Sequence, residues 1–326
     1  MNPTRRLWWI LGVMFVVSFG ALLFIGSEIY REMPPIPETV VSEDGEVIYT
    51  RDEIQRGRQV WQTLGGQQVG SVWGHGAYVA PDWSADWLHR EAVALLDIWS
   101  RQQYGTSFDQ LDAEAQAGLE VRLVDEMRTN TYDPQTDRIV VSNQRAQAIS
   151  QVHAHYRDLF GNGDELESLR EQYAVANNAI GSAKHRELMP AFFHWAAWAA
   201  TTERPDSDIT YTSNWPHEPL VGNSPTTGTA MWSMASIILL LAGIGALCWY
   251  YVATKHEGEL PTPPKSDPLL SSNPTASQRA VAKYFYTVVA LFIAQMLLGM
   301  ITAHYAVEGH SFYGFNLSEW LPYSVA

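Results

Sequence analysis

The chain has 326 residues, 46% of them hydrophobic, and a formal charge of −14 from 21 Lys and Arg against 35 Asp and Glu. An acidic balance of this size argues against nucleic acid as a partner, because phosphate contacts need a surplus of basic side chains. A single cysteine, Cys248, excludes an intrachain disulfide, a CxxC redox pair and CxxCH haem attachment alike.

Three runs without a charged side chain stand out: Leu7–Ile25, Ala230–Ala253 and Phe285–Ala303. Each is close to the roughly 20 residues that a helix needs to cross hydrocarbon. Arg5 and Arg6 precede the first, and Lys255, Lys265, Arg279 and Lys283 lie in or beside the connection between the second and third. The positive-inside rule places both regions in the cytoplasm and residues 28–229, with the C-terminal tail, outside. The first run can be read as a signal peptide, but its length and the lack of a small-x-small site at Phe24-Ile25-Gly26-Ser27-Glu28 favour an uncleaved anchor. Residues 28–229 carry 15 Lys and Arg against 30 Asp and Glu, and are enough to bury a core without disulfides.

Beyond the anchor, Met33-Pro34-Pro35-Ile36-Pro37 predicts a stiff extended lead. Glu43-Asp44-Gly45-Glu46 predicts a turn between two short strands. Thr50-Arg51-Asp52-Glu53 is a capping box ahead of Ile54, Val60, Trp61 and Leu64 at helical spacing. Gly65 to Ala80 lacks a sustained period and reads as a structured loop. Helices are expected from a Ser84 cap to about Gln103, over about Phe108–Arg128, and over Asn143–Phe160 up to Gly161-Asn162-Gly163. Arg138–Val141 is at most one strand. The helix over about Ser182–Thr202 holds Phe192, Phe193, Trp195 and Trp198, but Lys184, Arg186, Glu187 and His194 make it too polar to span, so it should lie against the core or near the membrane surface. A polar loop follows from Asp206 to Thr227, then a proline-rich connection from Leu260 to Pro274, and Thr275–Lys283 should begin the last helix.

His153 and His155, two apart on a helix, point about 200° from each other and cannot share a metal, so they read as surface histidines. His75, His89, His185, His194 and His217 show no HExxH or Cys/His spacing, and Gly74-His75-Gly76 is no GxGxxG fingerprint. His304 and Glu308 are different. Four residues apart at the end of the third apolar run, they share a helix face about 40° wide, and the aromatics Phe312 and Tyr313 follow. Polar residues routinely end a membrane helix at the headgroups. An imidazole and a carboxylate can also hold the hydroxyls of a quinol and take the two protons released on its oxidation.

The strings Val72-Trp73-Gly74-His75-Gly76-Ala77-Tyr78-Val79-Ala80-Pro81-Asp82-Trp83-Ser84-Ala85-Asp86-Trp87-Leu88-His89-Arg90-Glu91, Ser213-Asn214-Trp215-Pro216-His217-Glu218-Pro219 and Ala303-His304-Tyr305-Ala306-Val307-Glu308-Gly309 resemble the N-terminal part of the quinol-dependent nitric oxide reductases, of the haem-copper oxidase superfamily. The resemblance implies a mainly α membrane protein: three transmembrane helices plus a mostly helical, haem-free extracytoplasmic domain like cytochrome c. It divides the chain into an anchor (1–30), that domain (31–227), a second span (228–254), a cytoplasmic linker and helix start (255–283), and a third span opening a catalytic bundle (284–326). It implies quinol contact for His304, Glu308 and Phe312, and places Gly76 and Tyr78 near haem propionates and a bridging calcium. It assigns haem b, haem b3 and non-haem iron to the remaining bundle, in the same or a separate chain; none of their ligands is identified before Ala326, so the chain alone is expected not to turn over. The implied setting is a bacterial inner membrane, with quinol and lipid as partners and a homodimer left open. Two alternatives remain: a membrane sensor, which lacks the expected long cytoplasmic signalling helix, and a split non-catalytic subunit.

Overall fold

The computed structural model describes residues 3–74, 76, 79–254, 276–308, 311–312 and 315–316. Helix α1 (Pro3–Glu32) contains a window, Leu11–Glu32, long and apolar enough to cross a membrane. Val16 and Leu23 on it are uncovered by protein, as suits a helix whose solvent is hydrocarbon. After the proline lead, β1 (Thr39–Ser42) and β2 (Val47–Thr50) form the expected hairpin, with a register irregularity at Val40/Val41. Helix α2 (Arg51–Thr63) begins with the expected capping box: the Thr50 N–H donates to the Glu53 carboxylate at 2.8 Å, and the Glu53 N–H returns to Thr50 Oγ1 at 3.3 Å.

Two expected boundaries move. Helix α3 (Trp83–Tyr104) is capped by Asp82, which accepts the Ala85 N–H at 3.0 Å, and Ser84 lies inside the first turn. A carboxylate two residues earlier reaches the free N–H groups, leaving the hydroxyl for other bonds. The helix expected over Phe108–Arg128 is instead a 3₁₀ turn at Phe108–Gln110 followed by α4 (Ala113–Arg128), because Asp112 caps a fresh start through the Ala115 N–H at 2.9 Å.

Next, β3 (Tyr132–Asp133) pairs antiparallel with β4 (Arg138–Val141), and β4 pairs parallel with β1, giving a four-stranded sheet in the order β2-β1-β4-β3. On β4, buried Ile139 and Val141 alternate with exposed Arg138 and Val140, so one face meets the helices. Helix α5 (Asn143–Leu159), short α6 (Glu167–Gln172) and α7 (Ala183–Thr201) complete the domain. Helix α7 is its axis: every residue from Leu188 to Thr201 is buried, so this helix is covered all round by α2, α3 and α5. Its Lys184, Arg186 and Glu187 stand in the less buried first turns, which reconciles a polar start with a core position. Helix α2 approaches α7 at Gly57, where an added Cβ would stand 2.3 Å from the Leu188 carbonyl oxygen. Trp83 stacks on Phe193, ring centroids 5.4 Å apart, and meets Tyr156, Phe160 and Tyr173 edge-on.

Helices α8 (Thr227–Thr254) and α9 (Ala276–Glu308) follow, and both contain apolar windows of spanning length, Thr227–Thr254 and Ala276–Gly299. Helix α9 starts where Thr275–Lys283 was expected to begin it. A two-residue ladder, β5 (Ser311–Phe312) with β6 (Phe315–Asn316), follows α9.

Candidate functional site

The glycine-rich loop is organised by one carboxylate. Asp82 Oδ2 accepts from Ser71 Oγ and from the Gly74 N–H, both at 2.7 Å, while Oδ1 accepts from the Ser84 hydroxyl and the Ala85 N–H. Ser71 Oγ in turn accepts the Gly76 N–H at 2.7 Å. Gly76 sits at φ +70, with Ala80 O and the Asp82 N–H both 3.1 Å from where a Cβ would be, so a side chain there is both strained and crowded. Tyr78 lies outside the described residues.

Two motif strings far apart in sequence meet at this loop. Trp215 Nε1 donates to Gly74 O at 2.6 Å, and the Glu218 carboxylate lies 3.1 Å from His89 Nδ1 while accepting the Leu220 N–H at 3.1 Å. Trp73 Nε1 donates to Ala196 O at 2.7 Å, its ring lies 5.5 Å from that of Trp195, and Trp195 Nε1 donates to Pro35 O at 2.9 Å. Arg204 pairs with Glu32 at 3.2 Å. The loop therefore stands beside the segment that links α1 to the domain, at the domain's membrane-proximal end.

A second polar centre is wholly buried. Arg145 and Glu91, at 2% and 1% side-chain exposure, pair at 2.8 Å, and Trp87 Nε1 donates to the other Glu91 oxygen at 2.7 Å. Burial, the largest single influence, pushes the Glu91 carboxyl up, but Arg145 and His194 together outweigh it, and Glu91 ends at about 2. His194, completely buried on α7, approaches Glu91 to 3.7 Å, beyond hydrogen-bond range, so the direct hydrogen bonds to the ionised carboxylate come from Arg145 and Trp87. The Tyr49 ring lies 5.3 Å from His194; burial first, then Glu91, raises that phenol and keeps its proton. The Tyr49 hydroxyl is 2.9 Å from His153 Nδ1, and His153 Nε2 is 2.7 Å from Glu187 at the edge of a cavity of about 700 Å³. A run of ionisable groups thus reaches from the surface to the core.

His153 and His155 were expected to be surface histidines, yet both are half-buried and neither is a plain surface residue. His153 is bracketed by Tyr49 and Glu187 because α5 packs between the hairpin and α7. His155 is turned toward α3, where burial and then the Arg90 charge lower its pKa to about 4, and its Nε2 has no hydrogen-bond partner. Nearby, Asp86 accepts from Tyr156 at 2.5 Å, Tyr173 at 2.7 Å and Arg90 at 2.8 Å.

At the chain's other end, His304 and Glu308 both lie on the continuous backbone of α9, about 6 Å apart along its axis, and Phe312 pairs with Phe315 in the ladder that follows.

Among the described residues no group of three or more His, Cys, Asp or Glu side chains is placed to hold a metal. Asp82, the one acid of residues 71–82, already accepts four donors, so the loop has no carboxylate free for calcium. A covalently attached haem does not fit either: the only cysteine is in α8, and the space between α3, α5 and α7 is taken by Trp83, Trp87, Tyr156 and Phe193.

Helices packed round a central α7, a small sheet and flanking helices long and apolar enough to cross a membrane define a mainly helical, membrane-anchored domain. Residues 37–217 match the family model of the NorB cytochrome c-like domain of nitric oxide reductase. The match covers more than half of the chain, and the chain belongs to that family. No curated protein matches it closely enough to add to this assignment.

Proposed function

We propose that the chain supplies the anchor, the haem-free domain and part of the quinol site of a quinol-dependent nitric oxide reductase. The supporting observation is the family match over residues 37–217, in a domain joined to one spanning helix before it and two after it, with His304 and Glu308 one turn apart near the end of the last. The whole reaction takes two electrons and two protons from the quinol and converts two nitric oxide molecules to nitrous oxide and water, leaving the quinone. In this reading the His304 imidazole and the Glu308 carboxylate hold the quinol hydroxyls and accept their protons, and Phe312 packs against the ring. Haem b, haem b3 and non-haem iron, which supply electron transfer and nitrogen–nitrogen bond formation when bound, belong to the remaining bundle. The basic residues flanking the spans, Arg5 and Arg6 before the first and Lys255, Lys265, Arg279 and Lys283 in or beside the connection between the second and third, support an extracytoplasmic domain, and the reductase reading puts it on a bacterial inner membrane.

The test is donor-dependent turnover of the complete enzyme. His304→Ala and Glu308→Gln are expected to lower quinol-driven nitric oxide reduction about 100-fold or more. An artificial donor that reduces the haem directly should restore most of the rate. Equal losses with both donors would assign the pair a structural role and overturn the reading.

A further inference from the structure

A cavity of about 710 Å³ lies where α1 joins the domain, lined in part by Arg31, Glu32, Pro35, Tyr132, Arg204 and Tyr211. Its depth in the membrane follows from α1. The first charged residue after the apolar run is Glu28, and Arg31 is three residues further, about 4.5 Å along the axis. The polar layer on each side of the hydrocarbon is roughly 5–8 Å thick, so Arg31 and its neighbours stand among the lipid headgroups.

The charges there are balanced. Arg31 contacts Glu28 closely and Glu32 at 3.2 Å; Arg204 contacts the same Glu32 at 3.2 Å and spends further N–H groups on Thr210 O and Tyr211 O. The Arg31 side chain is 69% exposed, and its fork has five donors, so it can serve a phosphate beside the carboxylates. A net negative headgroup would meet two carboxylates and the negative end of the α1 dipole. A purely cationic ligand would meet two guanidinium groups. A headgroup carrying both charges satisfies both sets, and a primary ammonium can donate hydrogen bonds to Glu28 and Glu32 where a quaternary one cannot.

We propose that this cavity seats the headgroup of a phosphatidylethanolamine-type lipid, with its phosphate on Arg31, its ammonium on Glu32 of the cavity wall and on Glu28, the partner of Arg31 one turn earlier on α1, and its glycerol end against Pro35, Tyr132 and Tyr211. The inference rests on α1 spanning the bilayer and is independent of the reductase reading.

The experiment uses the whole protein reconstituted in nanodiscs containing equal amounts of phosphatidylethanolamine, phosphatidylcholine and phosphatidylglycerol, with the lipids that remain bound on release quantified by native mass spectrometry. The ethanolamine lipid is expected to be enriched about tenfold or more over bulk. Arg31→Gln should abolish the enrichment, Arg31→Lys should keep most of it, and Glu28→Gln should shift it toward phosphatidylglycerol, all with the near-ultraviolet circular dichroism of the domain unchanged. No enrichment in the unaltered protein, equal retention of the choline lipid, or full retention by Arg31→Gln would overturn the proposal.

Discussion

Replacing Glu91 by Gln keeps the shape of the side chain and the acceptor for Trp87 Nε1, but strands the Arg145 guanidinium at 2% exposure without a counterion. The cost can be worked in two ways. With Glu91 at about 2 in the folded chain against an ordinary 4.5, the ionised form contributes about 3 kcal/mol. Breaking one side of a buried pair typically costs about 3–5 kcal/mol. For a domain of this size that lowers the melting temperature by about 6–20 °C. Because the folded pKa is depressed, the contribution is full above about pH 4.5 and is lost as pH falls toward 2, where a protonated Glu91 resembles Gln. Thermal unfolding of the chain in detergent, followed by tryptophan fluorescence from pH 7 down to pH 3, should show a gap between the two proteins that narrows below pH 4.5. Glu91→Leu with Arg145→Met removes both charges and should recover part of the loss, leaving about 1–3 kcal/mol for the unpaired Trp87 N–H. A Gln variant melting within about 2 °C of the parent at pH 7, or a gap that ignores pH, would refute this account of the core.

Gly57→Ala should destabilise the domain by about 1–3 kcal/mol, since the new methyl meets the Leu188 carbonyl oxygen at 2.3 Å and α2 must move off α7; the same change at exposed Gly118, where nothing stands within 4 Å, is the control for the assay. The His155 imidazole should stay neutral from pH 8 to pH 5 in a proton NMR titration, with its midpoint near 4 rather than 6.5. Since that pKa is depressed in the fold, His155 favours folding fully above about pH 6.5, and its contribution declines as pH falls toward 4.

Local chemistry was legible in the sequence where partners are close along the chain. The Thr50–Glu53 capping box, the hairpin around Gly45 and the refusal of α7 to span all follow from residues within one element. The parallel pairing of β1 with β4 was not, because Val40 and Ile139 are far apart along the chain, with α2, α3 and α4 between them. His194 looked like one more scattered histidine, and nothing on α7 alone says that α2, α3 and α5 close around it. Glu91 did leave a sign: Trp87, Glu91 and Leu95 follow at intervals of four on the apolar side of α3, and an acid in that stripe needs a buried cation. Its partner, Arg145, sits 54 residues away at the start of α5 and could not be named from spacing.

The two polar centres divide the labour of the domain. The Glu91–Arg145 pair and the rings around Trp83 tie α3, α5 and α7 into a filled interior. The attachments at the membrane end are of another kind: Trp215 to Gly74, Trp195 to Pro35 and Arg204 to Glu32 each join residues from segments that lead to or from a spanning helix. Bonds of this sort fix how the domain meets the segments that lead to α1 and α8, one of them directly from the core through Trp195. A domain fixed in this way can set the position of the helices beneath it without carrying an electron itself, which is the part the proposed reductase reading gives to it. Loosening the seat should then alter the function of the membrane part while the domain still folds. Trp215→Phe removes the N–H to Gly74 but keeps an aromatic ring. If the proposed reductase reading holds, it should therefore slow quinol-driven turnover of the complete reductase more than it shifts the domain's melting temperature. A large loss of stability with an unchanged rate per folded molecule would show that this contact serves the fold alone.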